Sequence, residues 1–127
     1  MLSLSRLEPY KRRGVKWVRP RKGERHLPGY NYCGPGTDYF RRIREGVKPV
    51  NALDAAAVVH DKYTETRGPQ LASSPREMWA ADKRLAKEAA KIMFRTRSEN
   101  LKRDCKAVIV AMMANRARRS RGGKIRL

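Results

Sequence analysis

A mainly α-helical fold follows from three features of the sequence. Residues 76 to 121 contain neither glycine nor proline and carry an apolar row at helical spacing. Capping residues stand just ahead of two such segments, and the helix breakers gather in one stretch, LPGYNYCGPG, residues 27 to 36. With 127 residues the chain has room for one core plus tails.

Taken in order, residues 1 to 25 hold Lys11, Arg12, Arg13, Lys16, Arg19, Arg21, Lys22 and Arg25 with little apolar periodicity. That pattern predicts an extended or disordered basic arm, anchored locally by Trp17 and Val18. The glycine- and proline-rich stretch then predicts a tight loop that exposes its backbone. Thr37 is expected to cap a short helix through DYFRRIRE that stops at Gly46. A second helix is expected after Asn51, with Asp54 three residues on, running through AAAVVHDKYTET until Gly68 and Pro69 close it. The third has the clearest start: Ser74 as cap, Pro75 at the first helical position and Glu77 three after the cap. Its apolar row, Met78, Leu85, Ala89 and Ile92, lapses at Thr96, Glu99 and Asn100 before Leu101, Val108, Ile109 and Met112 resume it. A break near residues 96 to 100 and a further C-terminal helix follow. The division expected is an arm (1–25), a domain (26–115) and a basic tail (116–127).

Lys and Arg number 31 against 12 Asp and Glu, a formal charge of +19. Such a field attracts anions, and solvated cations serve a polyanionic nucleic acid and an anionic bilayer equally. Two cysteines, Cys33 and Cys105, are too few for the disulfide framework of a small secreted domain. No signal peptide or membrane-spanning stretch is visible, so the expectation is a soluble protein that is not conventionally secreted.

The chemistry centres on Asp82, which lies four residues after Met78 and three before Leu85, inside the apolar stripe. A carboxylate there needs a donor from a facing element, because an unpaired buried charge costs several kcal/mol. The second helix offers His60 and Tyr63. At about 1.5 Å per residue His60 sits roughly 9 Å before Thr66, and Asp82 roughly 10 Å past Pro75, so an antiparallel pair brings them level. Ala56 and Ala57 permit a close approach. Asp61 points about 100° away from His60 and is expected to face another group. The loop supplies a complement: carbonyls of Tyr32, Gly34 and Gly36 are hard oxygen ligands that calcium accepts together with a carboxylate. Taken alone, His26, Cys33 and Cys105 carry no role, and Trp79, flanking the stripe, is the candidate for an interfacial contact.

In this order YNYCGPG, DAAAVVHD and AADKRL resemble the calcium loop, His-Asp helix and second Asp of the phospholipase A2 superfamily. LPGYNYCGPGT and PVNALDAAAVVHDKY resemble the disulfide-free version in the unique region of parvovirus minor capsid proteins, over residues 27 to 95. The resemblance implies two antiparallel active-site helices beside a calcium loop, with an additional C-terminal helix. It implies hydrolysis of the sn-2 ester of a glycerophospholipid, with His60 as general base, Asp82 orienting it, and the Gly34 N–H in an oxyanion site. Tyr63 stands three residues after His60, where the family's supporting tyrosine stands four after. Calcium would be held by Asp61 and the carbonyls of Tyr32, Gly34 and Gly36. The implied setting is a virion whose lipase breaches an endosomal membrane, with phospholipid bilayers, nucleic acid and capsid protein as partners. The alternative is an inactive scaffold of the same shape that binds nucleic acid or acidic membranes through its basic arms.

Overall fold

The computed structural model describes residues 9–65 and 74–120, with the side chains of 118–120 excepted. Four helices make up its regular structure: α1 (Tyr39–Arg44), α2 (Ala52–Thr64), α3 (Pro75–Arg95) and α4 (Glu99–Ser120). No strand occurs among the described residues.

The start signals work as the sequence implies. Asn51 caps α2 by accepting from the Asp54 N–H, and Ser74 and Glu77 close a reciprocal capping box with Pro75 at the helix start. The α3 helix stops at Arg95 and α4 begins at Glu99, inside the expected break. Here the Thr96 and Ser98 hydroxyls accept from the backbone N–H groups of Ser98 and Leu101. The chain reverses, which brings Trp79 near the start of α3 to Arg116 near the end of α4, 5.6 Å from ring to guanidinium. Lys83 lies 4.7 Å from the same ring, so Trp79 is half-buried among cations.

Two boundaries differ from expectation. Thr37 does not cap α1; the cap position is Asp38, without a side-chain bond, because the Thr37 hydroxyl turns inward to the carbonyls of Tyr32 and Gly34. The α2 helix ends at Thr64, where Glu65 is already extended, and the proposed stop at Gly68 and Pro69 lies outside the described residues. At the other end α4 runs on to Ser120, in keeping with the absence of glycine and proline up to residue 121.

The basic arm, from Tyr10 onward, is irregular but bound to the domain. Arg12 N donates to Val50 O, Val18 N to Asn31 Oδ1, and Asn51 Nδ2 to Tyr10 O. Glu24 meets Arg42 through two hydrogen bonds of 2.8 and 2.9 Å with both side chains buried. Burial opposes ionisation of Glu24, but Arg42 and the N–H groups of Arg21 and Asp38 outweigh it and hold its carboxyl down to about 2. On the far side Tyr10 and Tyr30 both donate to Asp104 Oδ2, fastening α4 to the arm and loop.

The centre of the fold is Asp54, which is fully buried. Its carboxylate accepts from the backbone N–H groups of Asn31, Tyr32, Cys33 and Val50 at 2.8 to 3.0 Å. Four backbone donors with no regular partner are satisfied by one side chain on α2. Asp54→Ala removes that acceptor while the donors stay buried, and we expect a loss of at least about 3 kcal/mol, read as a lower urea midpoint. The exposed Glu88→Ala is expected to stay within about 0.5 kcal/mol.

Candidate active site

The two antiparallel helices α2 and α3 set the first pair. His60 Nε2 lies 2.6 Å from Asp82 Oδ1, with Asp82 buried and the imidazole side chain 13% exposed. The bond forms because Ala57 and Ala81, both buried, let the helices approach closely at this level. With Nε2–H donated to Asp82, Nδ1 is the nitrogen left for other chemistry.

Asp61 does not stand apart from the pair as its 100° offset suggests. Its Oδ1 is 3.5 Å from His60 Nδ1, because the two ring nitrogens lie on opposite edges of the imidazole and so reach different carboxylates. Burial disfavours the imidazolium, yet hydrogen bonding to Asp61 and Asp82 outweighs it and raises His60 to about 9. Burial also pushes Asp61 up to about 6, against the pull of His60.

The loop comes to the same place. Gly34 and Gly36 have φ of +151° and +79° and press against backbone: a side chain at Gly34 would strike Arg25 O and His26 Cα, and one at Gly36 would strike Gly23 O. Only glycine satisfies both the dihedral and the contact. The loop stays in register through Asn31, whose side chain bridges Val18, Lys16 and Lys48, and through the Tyr32 hydroxyl on Val47 O. Buried His26 touches the Thr37 hydroxyl through Nε2 at 3.0 Å.

Two cavities flank His60 on the loop side. One, about 530 Å³ and largely apolar, is walled by Leu27, Tyr32 and Cys33 of the loop, Ala57 of α2, Leu85 of α3, and Val108 and Met112 of α4. The other, about 270 Å³, is bounded by Gly34, Pro35, Gly36, Thr37, His60, Asp61, Thr64 and Glu65. A third, about 390 Å³, lies between α2 and α3 and includes Tyr63 and Arg84.

Whether this place suits a cation can be judged from its atoms. Among the described residues no three His, Cys, Asp or Glu side chains gather as a metal-binding group. Asp61 Oδ2, however, is buried without a hydrogen-bond partner among the described residues, a costly state for a carboxylate oxygen. Gly34, Pro35 and Gly36 border the same cavity as Asp61, and a carboxylate with main-chain carbonyls is the kind of oxygen donor set that suits a hard cation.

The structure therefore brings His60, Asp82, Asp61, Gly34 and Gly36 together, with Tyr32 beneath them. It does not bring Tyr63 to Asp82: the ring is 41% exposed, no hydrogen bond joins the two among the described residues, and Arg84 sits 5.7 Å from the ring. Tyr63 instead borders the cavity between α2 and α3, beside Arg84. Cys33 and Cys105 are both buried and free. Asp54 is the residue whose importance sequence reasoning missed; the Asn-x-x-Asp spacing marked it only as a helix-start residue.

A family model described as a phospholipase A2-like domain matches residues 23–104, well over half of the chain. No curated protein and no solved structure gives a significant match.

The titration of His60 is a direct check on this geometry. Its folded value lies above the ordinary 6.5, so the contact contributes stability that is full below about 6.5 and is lost as pH rises through about 9. In calcium-free buffer the His60 ring resonances are expected to titrate near 9. Asp82→Asn removes a charge that favours imidazolium and should lower the midpoint; an unshifted midpoint would break the pairing.

Proposed function

Since the chain belongs to the phospholipase A2-like domain family, we propose that it is a calcium-dependent phospholipase A2 that hydrolyses the sn-2 ester of glycerophospholipids. The observation that carries this reading is the 2.6 Å His60–Asp82 contact at the edge of an apolar cavity large enough for an acyl chain, with the orphaned Asp61 oxygen beside it.

In this reading Asp82 fixes the imidazole so that Nδ1 accepts a proton from the attacking water. The hydroxide character so produced adds to the ester carbonyl. His60 then returns the proton to the departing glycerol oxygen, leaving a lysophospholipid and a fatty acid. The Gly34 N–H is the donor proposed for the oxyanion, and the apolar cavity holds the acyl chain and keeps water out. Asp61 and the carbonyls of Tyr32, Gly34 and Gly36 are the calcium ligands proposed. Bound calcium would supply Lewis-acid polarisation of the ester and a counter-charge for the phosphate. It would also neutralise one of the two carboxylates that raise His60, which favours the neutral base. Tyr63 has no catalytic part in this reading, given its exposure.

The +19 charge supports an acidic bilayer as the working surface. A virion that opens an endosomal membrane, with capsid protein as neighbour, is the setting proposed from the resemblance in the loop and His-Asp motifs. The same charge favours one second reading, a catalytically silent scaffold holding nucleic acid. Release of sn-2 fatty acid from mixed anionic and zwitterionic vesicles separates the two. Calcium-dependent release is expected, stopped by chelator and reduced at least about 10³-fold in His60→Ala. Folded protein that cleaves nothing, yet binds DNA with a steep salt dependence, would favour the scaffold.

A further inference from the structure

Asp61 lies in the last turn of α2 and Glu65 is the residue just past its end, and both border the 270 Å³ cavity together with Gly34 and Gly36. Glu65 is held there by its position: the chain leaves the helix at this residue, its N–H still donates to Asp61 O, and its Oε2 accepts from the Tyr39 N–H at 3.3 Å. Placed so, the two carboxylates are unfavourable in three respects. Like charges that border one small cavity repel, both lie at the negative end of the α2 dipole, and Asp61 is sheltered from water. His60 is the only basic residue among the described residues that border the cavity, in a chain with 31 Lys and Arg. Asp61 Oδ2 has no hydrogen-bond partner among the described residues. A cation between the two acidic side chains would offset all of these costs at once.

We propose that Glu65 is a second carboxylate ligand of the calcium site, added to Asp61 and the loop carbonyls. The inference rests on the calcium reading given above and extends it. Two carboxylates match the charge of a dication, whereas Asp61 alone leaves one positive charge uncompensated; ligand charge is a main determinant of calcium affinity. The Tyr39 N–H steadies Glu65 from α1, so metal binding would also join the end of α2 to the start of α1.

The test is calcium titration of the full chain by calorimetry, with terbium luminescence as a second signal, on wild type, Asp61→Asn, Glu65→Gln and the exposed control Glu88→Gln. The amide of Glu65→Gln keeps an acceptor for Tyr39 N–H, so its fold should persist. Glu65→Gln is expected to weaken calcium roughly tenfold or more and to shrink the calcium-induced rise in melting temperature. Asp61→Asn should weaken it further, and Glu88→Gln should match wild type. If Glu65→Gln binds calcium as wild type does while Asp61→Asn does not, Glu65 is no ligand and the calcium reading stands. If wild type itself takes up no calcium at millimolar concentration, the calcium reading falls and this inference with it.

Discussion

One buried carboxylate holds the active region in shape. Asp54 sits in the first turn of α2 and takes three backbone N–H groups from a loop that has no sheet or helix to satisfy them, and a fourth from Val50 just ahead of the helix. A negative charge in the first turn of a helix is favoured by the dipole, so the anchor is stable where it stands. Because His60 and Asp61 lie further along the same helix, the loop and these two side chains share one rigid support. The distance between them is fixed by helix geometry instead of loop conformation.

Charge is distributed by function. The chain carries a large cationic excess, yet carboxylates dominate its interior: Asp54, Asp82, Asp104 and Glu24 are all buried. Each meets specific donors, Arg42 for Glu24 and the two tyrosines for Asp104. Such pairs are weak sources of net stability, because desolvation consumes much of the attraction, but breaking one leaves an exposed cost of about 3–5 kcal/mol. They specify which segments meet, and here they join the arm, loop and α4 around a core with few large apolar side chains.

The parts of the fold governed by local rules were legible from the residues. The capping box at Ser74, the interruption after Arg95 and the level of His60 against Asp82 depend on spacing along helices, which the sequence displays. Long-range contacts were hidden. Thr37 has the profile of a cap, yet tertiary carbonyls compete successfully for its hydroxyl. Glu24 and Arg42 lie in charge-dense stretches where nothing marks one pair for burial. The contact of Asp61 with His60 depends on which edge of a ring faces inward, a matter of side-chain rotamer that helical periodicity does not encode.

The large cavity has an uneven ancestry of walls. Its loop and α2 sides fall within the residues matched by the family, but the wall from Ala107 to Asn115 lies beyond residue 104. A fragment trimmed at that limit would keep His60, Asp61 and Asp82 and still leave their chamber open along one flank. The proposed catalytic residues and the length of the chamber thus reside on separable pieces of chain: exchanging Ala111 or Met112 for bulkier side chains would shorten the chamber without touching His60, Asp61 or Asp82.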